Sequence, residues 1–180
     1  MIADDVELLG GPERRDIVIA DYDPTWPLRF QRHADNIAEV LGGRALRIEH
    51  IGSTSVPSLA AKPVIDVLLV IDHPECEDNY VPALEHAGYV LRGREPSFDQ
   101  HRMLRSPSMD MHLHVFPSTS PEVDRYLVLR DLLRSDAAAR QLYADTKRRL
   151  AQSDWPTTDH YADAKTDVIE HLLAKALYNP

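Results

Sequence analysis

Glu49-His50-Ile51-Gly52-Ser53-Thr54-Ser55-Val56-Pro57 is followed, after three residues, by Ala61-Lys62-Pro63-Val64-Ile65-Asp66-Val67-Leu68-Leu69-Val70. The pattern is strand, hydroxyl-rich turn, strand. Residues 46–51 form the first strand, and residues 64–71 are an almost continuous apolar run, as expected of a strand buried on both faces. Gly52 lets backbone N–H groups approach an anion with no side chain in the way, and the Ser53 hydroxyl adds a donor. Asp66 lies 13 residues beyond Ser53 inside the apolar strand. A carboxylate there needs a partner, which a Lys or a divalent ion supplies. On pattern alone two readings stand: a phosphate-and-metal site, or a plain turn with Asp66 held by a backbone amide or by Lys62.

Outward from this stretch, residues 1–15 show no helix or strand period and are expected to form a flexible tail, with one domain spanning 16–180. Residues 17–19 suggest a short strand. Asp23-Pro24-Thr25-Trp26-Pro27 then starts a helix whose Trp26, Phe30, Ala34, Ile37 and Leu41 recur every three or four residues, and Gly42-Gly43 stops it. Residues 74–87 predict a helix ended by Gly88, and 89–91 a short strand. Residues 100–105 and 109–116 predict a hairpin around Ser106-Pro107-Ser108. The last third is helical: one helix opens at Ser120-Pro121, a second at Ser135 or Asp136, and a third after Thr157-Thr158 carries Tyr161, Ala164, Val168, Leu172 and Leu177. The expected class is α+β, with a C-terminal helical region and no internal repeat.

The 180 residues include 29 acidic and 20 basic side chains, a net charge of −9. Such a surface repels a polyanion, which argues against bulk nucleic-acid binding but leaves room for a small phosphorylated ligand in a local basic pocket. The lone cysteine, Cys76, has no internal disulfide partner, and no apolar stretch approaches the length that crosses a bilayer. A cytoplasmic protein with no membrane association is the expectation. The apolar helix faces leave the oligomeric state open.

His112 and His114 share a strand face and can be two metal ligands, a ligand beside a base, or two ordinary strand residues. His50 can touch a phosphate or buttress the turn. Arg130 and Arg134, one helical turn apart, can clamp a phosphate or carboxylate, or pair with Asp131 and Glu122 on the surface; for Arg134 the surface pairing is the preferred reading. Lys62 is placed to meet a phosphate or to neutralise Asp66. Lys147 reads from its neighbours as part of a solvated basic face. Tyr161 and Lys165 are one turn apart, and the ring can stack on a base or simply fill an amphipathic helix.

Several of these segments resemble, in order, the GrpB family: residues 50–57, residues 61–66, His112-Leu113-His114-Val115-Phe116, Leu129-Arg130-Asp131-Leu132-Leu133-Arg134, and the later Tyr143, Lys147, Tyr161 and Lys165. The resemblance runs from about Ile17 to Leu177. It implies a nucleotidyltransferase-like fold, a small mixed sheet flanked by helices, with the Gly-Ser turn facing nucleotide phosphates. Related domains are attached to some dephospho-CoA kinases, which implies nucleotide or coenzyme chemistry. Active nucleotidyltransferases place a second carboxylate two residues after the first and a third on a neighbouring strand. Here Leu68 holds the second place, and His112 or His114 stands where the third acid would be.

The expectation is therefore a protein that binds a nucleoside triphosphate with a divalent ion, Mg or Mn, or Zn given the imidazoles, and transfers a nucleotidyl group to a small acceptor. Gly52, Ser53 and Ser55 would hold phosphate oxygens, and Asp66, with His112 and His114, would ligate the metal. His114 would complete the metal's shell or deprotonate the acceptor, and Lys62, Arg130 and Lys147 would steady the triphosphate. The alternative, favoured by Leu68, is a non-catalytic nucleotide- or coenzyme-binding module with a degenerate metal site. A transition-metal hydrolase built on Asp66, His112 and His114 ranks last.

Overall fold

A strand as apolar as residues 64–71 needs cover on both faces, and the computed structural model, which describes residues 6–14 and 16–178, supplies it. Six strands, β1 (Glu7–Leu8), β2 (Arg47–Ile51), β3 (Ile65–Ile71), β4 (Val90–Glu95), β5 (His101–Arg105) and β6 (Met111–Pro117), form one mixed sheet in the order β1-β4-β5-β6-β3-β2. Only β3 and β6 run parallel, with Asp66 opposite His112 and Leu68 opposite His114. The helices are α1 (Trp26–Leu41), α2 (Val81–His86), α3 (Pro121–Ser135), α4 (Ala137–Leu150), α5 (Thr158–Asp163) and α6 (Thr166–Tyr178).

Strand alternation sorts the core into two faces. Ile65, Val67, Leu69 and Ile71 of β3, with Leu113 and Val115 of β6, pack beneath Trp26, Ile37 and Leu41 of α1 and Leu84 of α2. On the other face Leu68, Val70 and Phe116 are covered by Val123 and Leu127 of α3. That cover stops short of Asp66, whose side chain is 29% exposed. A third cluster seats Val56 and Leu59, both fully buried, against Leu133, Tyr143, Ala144 and Leu172 of the helical half. Burying side chains of this size contributes about 1.5–3 kcal/mol each, so the segment after the hydroxyl turn is firmly anchored.

Several expectations need correction. Residues 17–19 form no strand: only Ala20 pairs, through a single bridge to Ala61, so Ile17 and Ile19 stay half-buried and Val18 is 62% exposed without a strand partner. The helix expected over 74–87 shrinks to α2, preceded by a short 3₁₀ turn, Glu77–Asn79, where Arg94 and Arg102 draw in the Glu77 carboxylate. The strand expected over 89–91 extends to Glu95 because β4 is paired on both sides. The third C-terminal helix divides into α5 and α6, and Leu177, expected on its inner face, is 74% exposed. Of the expected tail, residues 1–5 and Arg15 lie outside the described residues, whereas Glu7–Leu8 pairs with β4 and Arg92 bonds Gly11 O and Glu13. No described helix is long and apolar enough to cross a membrane.

Candidate functional site

Gly52 has φ +65° and ψ −173°, a conformation essentially reserved for glycine. A Cβ built there would lie 2.3 Å from Asp66 Oδ2 and 3.0 Å from Asp66 Cβ, so the hydroxyl turn and the strand carboxylate are in direct contact. Their apposition follows from the β2–β3 ladder, which places Ile51 opposite Asp66 and leaves Gly52 to pass the acid. Residues 53–55 then form a 3₁₀ turn in which the Ser55 hydroxyl donates to Gly52 O at 2.6 Å. Ser55 is buried and its proton is committed, so it shapes the turn from within. Ser53 is half-buried.

Lys147 reaches this turn from α4. Its ammonium donates to Ser53 Oγ at 2.8 Å and to Ala60 O, it lies 4.8 Å from the Tyr143 ring centroid, and the residue is only 2% exposed. Burial, and then the nearby Lys165 and Arg148, push its pKa down to about 7, with Asp66 opposing. Lys165 sits between α5 and α6, 5.1 Å from the Tyr161 ring centroid, and burial lowers its pKa too, again with Asp66 opposing. Tyr161 is 1% exposed, and its hydroxyl has no hydrogen-bond partner among the described residues. Lys62 lies over the same ring at 5.6 Å. Lys62 and Lys165 thus share the Tyr161 ring, while Lys147 contacts the hydroxyl turn itself.

Asp66 Oδ1 is 3.5 Å from His112 Nδ1 and 3.8 Å from His114 Nε2. One ligand atom from each of the three residues lies within 4.8 Å of the others, compact enough to hold a single cation. Burial raises the Asp66 pKa, but hydrogen bonding and charge from His112 and His114 outweigh it and keep the carboxyl ionised well below its usual range. His112 is the more open imidazole and lines a cavity of about 350 Å³ that also includes Lys62, Val64, Met109 and Asp110. His114 is tied at its other nitrogen to His101, 3.1 Å away, and His101 bonds Glu95 at 2.8 Å. Neither Glu95 nor His101 was among the expected site residues. Their connection depends on β4 reaching Glu95, which then lies opposite His101 on β5.

Other expected residues are placed elsewhere. Arg130 bonds Glu49 at 2.7 Å, Asp131 at 2.7 Å and His50 O at 3.3 Å, tying α3 to β2, so its guanidinium is occupied away from Ser53 and Asp66. Arg134 donates twice to Ser55 O, at 3.1 and 2.9 Å, and so braces the hydroxyl turn from behind. No sequence pattern signals that contact. His50 also buttresses the turn: it stacks on Phe30 and bonds Thr54 Oγ1 at 3.1 Å.

Burial drives the His50 pKa from 6.5 down to about 4; Asp66 opposes, and Arg134 and Arg130 add to the lowering. Because the folded value lies below the unfolded one, the neutral ring's contribution is intact above about pH 6.5 and is lost as pH falls toward 4. A shift of this size corresponds to up to roughly 3 kcal/mol. Urea unfolding followed from pH 7 to 4 should show this acid limb, and His50→Gln should flatten it.

Comparisons with known proteins agree with this architecture. The sequence profile described as GrpB protein matches residues 16–175. A UPF0157 protein of Halalkalibacterium halodurans is 47% identical over 165 residues, covering 92% of this chain and 85% of the relative. A dephospho-CoA kinase of Mycolicibacterium paratuberculosis is 28% identical over 169 residues, covering 79% of this chain and 42% of the kinase, so the domain recurs as part of a longer protein. Among solved structures, conserved protein GrpB from Enterococcus faecalis superposes with a TM-score of 0.78 at 32% identity over 89% of this chain and 98% of that one. The poly(U) polymerase Cid1, solved with Mg and 3′-dATP, matches with a TM-score of 0.53 at 12% identity, covering 81% of this chain and 49% of that one. The fold is nucleotidyltransferase-like.

Proposed function

This chain belongs to the GrpB family, and from that premise we propose that it binds a nucleoside triphosphate together with a divalent ion and transfers a nucleotidyl group to a small acceptor. The observation that carries this reading is convergence: the Gly52 turn touches the Asp66 carboxylate while Ser53 Oγ meets the Lys147 ammonium. Phosphate oxygens would take over the amines of Lys147 and Lys165 and the hydroxyl of Ser53. Asp66, His112 and His114 would hold the ion, which when bound would supply charge neutralisation beside the phosphates. The acceptor would approach the ion from the His112 side, since His112 borders the cavity large enough for a small acceptor while His114 is held by His101. Arg130 and Ser55 are assigned supporting roles.

One observation favours the second reading, a module that binds without turnover. Leu68, at the position of the second carboxylate, is fully buried beneath α3. A single carboxylate with two imidazoles is a sparse set for two ions, but it suits one.

Thermal stabilisation by nucleoside triphosphates with Mn²⁺ or Mg²⁺ tests the common core of both readings. The native protein should be stabilised. Asp66→Ala should lose the part that depends on the ion, and Lys147→Met should lose the part that depends on phosphate. Lys147→Met should itself unfold within about 1 kcal/mol of the native protein or later, because it removes a poorly solvated ammonium at the expense of two hydrogen bonds. Equal ligand shifts in all three proteins would remove both residues from the site. Release of pyrophosphate on adding candidate acceptors would then separate transfer from simple binding.

A further inference from the structure

His114 Nδ1 and His101 Nε2 are 3.1 Å apart, with ring planes within 11° of one another, which suits an in-plane N–H···N bond. One nitrogen must donate and the other accept, and the next link decides which. His101 Nδ1 lies 2.8 Å from Glu95 Oε2, and an ionised carboxylate only accepts, so the His101 proton is on Nδ1. His101 is 6% exposed, packed 4.5 Å from Phe116 and edge-on to Phe98, surroundings that favour a neutral ring. A neutral His101 with its proton on Nδ1 accepts at Nε2, and His114 therefore donates from Nδ1. His114 Nε2 is then left to face Asp66 Oδ1 across 3.8 Å, with His112 Nδ1 3.5 Å from the same oxygen. One ligand atom from each of the three side chains lies within 4.8 Å of the others, so a single cation can meet all three.

We propose that Glu95 and His101 are positioning residues that lock His114 as its Nδ1–H tautomer, making the Asp66–His112–His114 cluster a centre for a manganese-, cobalt- or zinc-class ion in preference to magnesium. The inference rests on the cation reading of the preceding section and gives it a chemical class. Imidazole nitrogen is a good ligand for those ions and a poor one for Mg²⁺, which selects oxygen. An outer carboxylate–histidine pair also raises the basicity of the histidine it holds. Glu95 and His101 face each other across the β4–β5 ladder, and Met103 of β5 faces His114 across β5–β6. The relay is thus built on three adjacent strands and is rigid.

The test combines two measurements on the full chain. Long-range ¹⁵N–¹H correlation of the imidazoles in metal-free native protein should show the His114 proton on Nδ1. Calorimetric titration with Zn²⁺, Mn²⁺ and Mg²⁺ should show native binding in the order Zn²⁺ or Mn²⁺ above Mg²⁺, with His101→Phe and Glu95→Ala each weakening Zn²⁺ and Mn²⁺ by about 10–100-fold. His101→Phe keeps the aromatic packing, and Glu95 is partly exposed, so the second variant does not depend on the first one folding. A His114 proton found on Nε2, or ion binding indifferent to both variants, would overturn this inference alone. Failure of every ion to bind the native protein would overturn the cation reading and this inference with it.

Discussion

Gly52→Ala is expected to destabilise the protein by about 2–4 kcal/mol and to weaken nucleotide binding by more than about 100-fold. Two independent terms add. The backbone at φ +65°, ψ −173° strains any side chain, and the new methyl would meet the Asp66 carboxylate at 2.3 Å. Relief requires the carboxylate to swing away from His112 and His114, which dismantles the proposed ion site along with the turn. Gly88→Ala is the matched control: it also has positive φ, +95°, but nothing lies within 4 Å of its Cβ position. It should cost about 1 kcal/mol and leave binding untouched. Denaturation midpoints and binding isotherms for the two variants make the comparison. If Gly52→Ala bound nucleotide within threefold of native, the turn and the acid would not share a ligand.

Leu68→Asp should unfold the protein, with a loss above about 4 kcal/mol. On the sequence alone this substitution looks like a restoration, since it places a second carboxylate two residues after Asp66. The structure makes it a lesion. Leu68 is completely buried among Ile51, Val70, Phe116, Val123 and Leu127 of β2, β3, β6 and α3, so a carboxylate there would be stripped of water. Leu68→Ala, which leaves a cavity instead of a charge, should cost about 2–5 kcal/mol. Circular dichroism melts would rank the two. A folded Leu68→Asp protein with native stability would mean that α3 lifts off the sheet more readily than its packing implies.

The sequence was most legible where one physical rule governed. The almost continuous apolar run of 64–71 declared β3, the three- and four-residue spacing declared α1, Ser120 declared a helix start that its side chain caps, and of the two starts offered for the next helix Asp136 is the one that caps it. The nucleotidyltransferase-like α+β fold followed from the resemblance and agrees with the observed sheet and helices. Legibility failed where tertiary partners decide. Residues 17–19 are β-branched enough for a strand but only the next residue, Ala20, finds a bridge, and the third C-terminal helix breaks where Lys165 turns over Tyr161. At the site, the neighbourhood of Gly52, Ser53, Asp66, His112 and His114 could be read because β2, β3 and β6 are adjacent. The buried role of Lys147 could not be read from its own helix, where Arg148 and Arg149 suggest a solvated face. Arg130 and Ser55 illustrate the converse: the right residue types for phosphate, spent on holding the scaffold.

The grip of Lys147 on Ser53 and Ala60 has a mechanical implication. The ammonium comes from the helical half and its two oxygens from the strand-rich half, so the two halves are buttoned together at the very spot a phosphate would contest. An arriving anion must unfasten that button and then replace it, joining the same two parts through itself. Ligand entry and departure are therefore expected to keep time with a slight loosening of the helices over the sheet. Amide protons of α4 near Lys147 should exchange faster in the empty protein than in the loaded one.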